Sequence, residues 1–356
     1  MKLSHFETLR PVCPRCRTDL KRDSDLTIGQ VRAKTEQTIV EGTLVCTAAD
    51  CLSEYPIIDG IPLLVPNLRH YVQHQADAIF ARDDLSDTSQ SILGDCLGAG
   101  SAYDVQRQHL STYAFDHYGD LDPAKPAGAG YTTRLLHQGL DAAPPWPNGP
   151  SLDIGCAVGR TTFELAHARG APVLGIDLNF DMLKTASRIL HQGVVRYPRR
   201  RVGVVYDMRD YAASFEAAPW VDFWACDGLH LPFRSETIAG VTSLNLIDCV
   251  ASPHDHLREV ERILTPQGVA ILGTPYDWSP SSTPIEAWVG GHSQRGESGG
   301  AAEPMMRSLF AGGAHPMALK RLTLTQEFES APWQVRNHDR STTHYQVHLM
   351  VAQANG

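Results

Sequence analysis

No stretch of the 356 residues approaches the roughly 18 uninterrupted apolar residues that a membrane-spanning helix needs. The most apolar early run, residues 57–65, is broken by Asp59, Gly60 and Pro62. The opening Met-Lys-Leu-Ser-His-Phe-Glu lacks the apolar core and small-residue cleavage site of a secretory signal, so a cytoplasmic protein with no membrane partner is expected. Positive charge is scarce as well: 31 Lys and Arg against 40 Asp and Glu leave a formal net charge of −9. Broad nucleic-acid binding relies on many cationic contacts to phosphates, and this balance speaks against it. The one local exception, Arg196, Arg199, Arg200 and Arg201, reads as a solvated loop, with RNA contact as the alternative. No internal repeat is present, and 42% hydrophobic with 20% charged residues is the make-up of a globular chain.

Cysteine is not scarce but unevenly placed. Four of the eight lie in the first 51 residues; Cys96, Cys156, Cys226 and Cys249 are scattered. Cys13-Pro-Arg-Cys16 is a knuckle, and Cys46 and Cys51 make a second pair with four residues between them. β-like residues 38–40 and 43–45 lie between the pairs. Two knuckles around a short β segment suit a tetrahedral thiolate site, which predicts one structural zinc ion on Cys13, Cys16, Cys46 and Cys51. A unit this small buries too little core to fold unaided, so the metal would supply folding energy. The competing reading, a redox pair with two unrelated cysteines, lacks the βαβ context such a pair usually has.

Residues 55–65 read as two short strands around the Asp59-Gly60 turn. Together with the four cysteines, this stretch resembles the small zinc-ribbon activator subunit of tRNA, rRNA and release-factor methyltransferases. That resemblance covers about 60 residues and implies a ribbon domain over residues 1–66, fused here instead of free. Residues 67–149 are expected to be a helical linker and cap: 71–83 and 102–118 read as helices, and the Ser/Gly/Asp-rich 86–100 as a linker. From residue 150 to 356 strands and helices alternate. Strands are expected at 151–154, 172–176, 221–225, 241–245 and 268–272, and helices at 160–169, 180–190 and 254–264. The class is α/β: a mostly parallel sheet with helices on both faces, closed by an antiparallel hairpin within 333–351. The glycine-rich 290–313 reads as a mobile excursion.

At the first strand-to-helix junction stands Asp153-Ile-Gly155-Cys156-Ala157-Val-Gly159-Arg160. Small residues here let a ligand approach the backbone. The dinucleotide fingerprint GxGxxG is absent, since its positions would hold Gly155, Ala157 and Arg160. The segment resembles the first motif of Rossmann-like S-adenosylmethionine-dependent methyltransferases, with Ala157 in place of the middle glycine. Asp177, with Leu178 beside it, ends the second strand 22 residues after Gly155, where a carboxylate accepts ribose hydroxyls. Asp227 and Gly228 follow the third strand, where the resemblance implies contact with the adenine amino group. Asn245 ends the next, at the mouth of the sheet where the methyl would sit.

A closer resemblance covers residues 150–352. Segments 152–160, Asn245-Leu-Ile-Asp248, Thr274-Pro-Tyr276-Asp-Trp278 and Trp288-Val-Gly-Gly291 resemble the C-terminal methyltransferase domain of ovothiol synthase. This implies methyl transfer to a ring nitrogen of a small imidazole-containing molecule, with Asn245, Asp248 and Tyr276 as the residues expected to carry the reaction. Asp248 or Tyr276 would hold the ring, Trp278 or Trp288 would wall the pocket, and 290–313 would act as a lid. A neutral imidazole is nucleophilic near pH 7 and needs orientation more than a base. The Asn/Asp-Pro-Pro-Tyr motif of exocyclic-amine methyltransferases is missing. His338, His344 and His348 read as a solvated hairpin face, not a metal site.

Two other functions compete. The ribbon and the arginine run fit an RNA or protein methyltransferase, and a cofactor-binding scaffold without turnover would belong to a different class. The intact set of acids and small residues argues against the scaffold. The sequence leaves the oligomeric state open.

Overall fold

Strand residues along the central segment alternate between two apolar layers, and this fixes the architecture. In residues 223–226, Phe223 and Ala225 enter one core while Trp224 and Cys226 enter the other. A strand apolar on both sides must be covered on both faces. The computed structural model describes residues 1–82, 85–310, 312 and 315–355, with nothing said of the side chain of Glu297. The N-terminal part contains α1 (Leu3–Leu9), α2 (Pro14–Asp19), β1 (Leu26–Lys34), β2 (Ile39–Cys46), β3 (Glu54–Ile58) and β4 (Ile61–Leu64). The helical cap follows: α3 (Leu68–Phe80), α4 (Asp87–Leu97), α5 (Ala102–Tyr118) and α6 (Tyr131–Ala142). Next come β5 (Ser151–Ile154), α7 (Arg160–Arg169), β6 (Val173–Asp177), α8 (Phe180–Gln192), β7 (Val194–Val202), β8 (Val205–Ala212) and β9 (Val221–Cys226). The chain finishes with β10 (Ile238–Leu244), α9 (Pro253–Ile263), β11 (Leu264–Thr274), α10 (Ala302–Phe310), β12 (Leu322–His338) and β13 (Ser341–Ala354).

One eleven-stranded sheet runs β1-β2-β3-β4-β9-β6-β5-β10-β11-β13-β12. From β4 to β11 the pairs are parallel, and β13 and β12 close it antiparallel. The expected mostly parallel sheet with a terminal hairpin is what the chain forms. The cysteine-bearing unit is joined to it edge to edge: Leu63 pairs with Ala225 and Leu64 with Cys226. The turn into β4 is the expected Asp59-Gly60, both at positive φ (52° and 82°).

Several local expectations change. The arginine run is no loop: it lies in β7, which pairs with β8 in a separate two-stranded sheet. Its charges are answered by acids, Arg196 by Asp87 and Asp210, Arg199 by Asp339, and Arg201 by Asp207 and Asp339. The supposed linker holds α4, whose Ser86 caps the N-terminus and whose Gly98, at φ 76°, ends it. The first helix of the cap spans 68–80, so residue 83 of its expected range lies outside the described residues. His344 is exposed, but His348 is 1% exposed, because β13 enters the doubly covered part of the sheet at Val347.

Candidate functional site

Where β5, β6, β9 and β10 end, the backbone turns sharply and leaves a cavity of about 740 Å³. Gly155, Ala157 and Gly159 all adopt positive φ, at 76°, 48° and 91°. This tight turn lays the chain between β5 and α7 flat along the cavity. Ala157 holds the left-handed conformation without glycine's freedom. Its N–H donates to Asp177 Oδ2 at 2.9 Å, which fixes the loop. Gly155 and Ala157 line the cavity, whereas Gly159 packs inward: a Cβ there would lie 2.5 Å from the Phe223 ring.

The other expected residues divide by what their side chains do. The Asp153 carboxylate is buried and takes hydroxyls from Thr161, Thr162 and Thr242, each at 2.7 Å, so it braces β5, α7 and β10. Cys156 is fully buried. Arg160 turns away, to Asp120 at 3.0 and 3.1 Å and to Glu164 at 2.7 Å. Asp177, Leu178, Asp227, Gly228 and Asn245 all line the cavity. Burial raises the Asp177 carboxyl against the backbone N–H bonds that favour its charge, from Asn179 and Ala157 among others. Asp227 accepts Leu229 N–H at 2.9 Å and lies 3.1 Å from His230 Nδ1. Asn245 sits at φ 55°, and both its amide atoms are buried without a partner. An orphaned amide at a cavity wall is a ready donor and acceptor for a ligand.

Asp248 and Tyr276 are not in the cavity lining. Asp248 is 3% exposed and accepts Asp277 N–H at 2.8 Å, while its carbonyl accepts the Thr283 hydroxyl at 3.1 Å. Burial raises its carboxyl. It therefore ties down the 277–283 loop, whose Ser282 does reach the cavity. The Tyr276 hydroxyl meets His348 Nδ1 at 2.6 Å, and His348 Nε2 meets Glu327 at 3.0 Å. Trp278 and Trp288 stack on each other, with centroids 6.0 Å apart, and neither lines the cavity. Nor does any described residue of 290–313, of which 311 and 313 lie outside the description.

What completes the wall was missed by sequence reasoning. His109, Tyr113 and His117, spaced by four along α5, face the cavity, and Trp333 joins them from β12. The spacing was visible, but an i, i+4, i+8 stripe on a helix usually marks a core face. Desolvation lowers His117 to about 4 and also lowers His109, so both rings are neutral at pH 7. Arg160 N–H donates to His117 Nδ1 at 3.2 Å, which assigns the proton to Nε2. Among the described residues, no Lys or Arg lines the cavity.

The four N-terminal cysteines converge, all buried, with every Sγ within 4.8 Å of the others. Cys13 to Cys51 is 3.8 Å and Cys16 to Cys46 is 3.7 Å. A tetrahedron with about 2.3 Å Zn–S bonds has edges of about 3.8 Å, so the thiols fit such an ion. A disulfide would need about 2.05 Å. Among the described residues, no other cluster of three or more such side chains could hold a metal ion.

Residues 152–272 match the family described as Methyltransferase domain. Methyltransferase GfsG of Streptomyces halstedii is 25% identical over 177 residues, 48% of this chain and 54% of that protein. Methyltransferase YodH of Bacillus subtilis (strain 168), described as uncharacterized, is 28% identical over 149 residues, 42% of this chain and 51% of its own. The chain thus spans about half the length of the curated relatives it matches. Among solved structures, Haemonchus contortus phosphoethanolamine N-methyltransferase 2 in complex with S-adenosyl-L-methionine aligns over 55% of this chain and 37% of its own, at 18% identity and TM-score 0.35. A Haloferax volcanii complex of the Trm112 methyltransferase activator with a putative methyltransferase aligns over 68% and 98%, at 16% identity and TM-score 0.37.

Proposed function

We propose that this chain, whose residues 152–272 are a methyltransferase domain of the Rossmann-like, S-adenosylmethionine-dependent class, methylates a ring nitrogen of a small imidazole-containing molecule. The observation that carries the small, uncharged acceptor is the cavity wall: His109, Tyr113, His117 and Trp333, with no Lys or Arg among the described lining residues. Such a wall suits a planar neutral ring and offers no Lys or Arg to a phosphate backbone. The imidazole itself rests on the resemblance of segments 245–248, 274–278 and 288–291 to the ovothiol enzyme.

Bound S-adenosylmethionine would supply an electrophilic sulfonium methyl. The protein's part is to hold and to exclude water. Asp177 retains lone pairs for the ribose hydroxyls, Asp227 stands ready for the adenine amino group, and the Asn245 amide finds its partners on the ligand. Asp248 and Tyr276 act as positioning residues, through the 277–283 loop and through His348. The His117 Nε2–H and the Tyr113 hydroxyl are left to orient the acceptor ring. Cys13, Cys16, Cys46 and Cys51 would hold one structural zinc ion, and elemental analysis of the purified chain should find one per molecule.

RNA docking by the ribbon finds little support, because residues 1–66 carry eight Lys and Arg against nine Asp and Glu. The arginines of β7 are occupied by acids and by Gln108. The deciding experiment incubates the chain and labelled S-adenosylmethionine with histidine, its thiol derivatives, imidazole peptides and an RNA pool. A ring-methylated product supports the reading. Methylated RNA with every imidazole untouched overturns it, and no turnover at all would favour a cofactor-binding scaffold.

A further inference from the structure

A second hollow, of about 430 Å³, lies between α5, α8 and the β7–β8 hairpin and shares no lining residue with the first. Arg107 of α5 lines it and is only 8% exposed. The guanidinium carbon lies 3.9 Å from the Tyr206 ring centre and 5.3 Å from that of Tyr103. Its Nε–H is buried without an acceptor. Among the described residues, no carboxylate lies within ion-pair distance of it. The neighbouring cations differ: Arg196 is answered by Asp87 and Asp210, and Lys184 donates to the carbonyls of Ala78 and Ala81. Two acids, Asp77 and Asp181, also line the hollow; burial raises the Asp181 carboxyl and Lys184 opposes that shift.

The position is built around the guanidinium. Gly94 stands inside α4, where glycine is a poor helix former, and a Cβ there would come within 2.4 Å of Arg107 Nη1. Aromatic faces recover only part of what a buried guanidinium loses on leaving water, and the remainder calls for an anion. Leu97, Leu110, Tyr197 and Met208 supply an apolar body to the same space. We propose that this hollow binds a small molecule carrying one carboxylate or phosphate group on an apolar body, with the anionic head on Arg107.

Calorimetry on the full chain with octanoate, octyl phosphate and inorganic phosphate tests this. Octanoate or octyl phosphate should bind, the stronger of the two naming the head group, and Arg107→Gln should weaken that binding about tenfold or more. Inorganic phosphate binding as tightly as the octyl ligands would overturn the apolar part. No binding by any of the three, or equal binding by the variant, would overturn the site. Should the variant fail to fold, hydrogen exchange on the unaltered chain decides. Bound octanoate or octyl phosphate should slow exchange in α5, β7 and β8, and unchanged exchange there refutes the proposal.

Discussion

At Ala157 a methyl group occupies a backbone conformation that glycine would hold without strain. The left-handed region costs a residue with a Cβ roughly 1 kcal/mol, and the Ala157 N–H bond to Asp177 keeps it there. Ala157→Gly should therefore leave stability unchanged or raise it by up to about 1 kcal/mol in urea unfolding, with S-adenosylmethionine affinity kept. A loss above that size would mean the methyl itself packs in the site. Asn245 poses the opposite case, because asparagine tolerates φ 55° and its amide has no protein partner. Asn245→Gly permits the same backbone conformation and removes the side chain with its amide. Binding of S-adenosylmethionine should weaken by about 1–3 kcal/mol in calorimetry while the melting temperature stays near that of the unaltered chain. Unchanged affinity would take Asn245 out of the site. Spacing alone located the 153–160 turn, but not which atoms face the ligand. The left-handed Gly155, Ala157 and Gly159 send Arg160 away while leaving Gly155 and Ala157 at the surface of the cavity, and the Asp153 carboxylate is taken up by three threonine hydroxyls.

Elements were legible where apolar period and caps agreed, as in α8, capped by Asn179, and α9, capped by Ser252. They were missed where composition and packing disagreed. β1 is exposed at eight of nine positions, and its alternation of apolar residues, Leu26 and Ile28 then Val31 and Ala33, slips at Gly29-Gln30, so its pairing with β2 decides its form. β7 carries four arginines, and pairing with β8 makes it a strand while Arg196, Arg199 and Arg201 are answered by acids. One of these, Asp339 in the β12–β13 turn, clasps β7 through Arg199 at 2.7 Å and meets Arg336 as well. Burial alone would raise its carboxyl, but hydrogen bonds and charge from both arginines prevail and hold it at about 2. The folded value is thus below the unfolded one of about 3.9. The stabilisation is fully present above about pH 4 and is lost as pH falls through about 2. Asp339→Asn should be less stable at neutral pH, and its urea midpoint should fall less between those two pH values. Parallel curves for the two chains would show that the clasp is idle.

Over the whole molecule, the cysteine unit and the cavity proposed for the cofactor share one sheet. Without β4, β9 would be an open edge, and Asp227 follows β9 directly. Trp224 and Cys226 pack into the same core as Met1, Leu9 and Cys13. Val12 N–H donates to the Pro232 carbonyl at 2.9 Å, and Arg234 to that of Arg10 at 3.1 Å. A zinc ion that folds residues 1–66 would then also support the cavity wall that bears Asp227, although the cysteines do not line that cavity. Chelation, or Cys16→Ser, should unfold the ribbon and weaken S-adenosylmethionine binding about tenfold or more, in step with zinc release followed by a metal-sensitive dye. Asp177→Ala is the control: it should lower affinity by about 1–3 kcal/mol through the lost ribose contact and release no zinc. A metal-free chain that binds as tightly as before would mean that β4 stays paired to β9 without the metal. The ribbon would then be a passenger on the sheet, and the coupling between it and the cavity would be wrong.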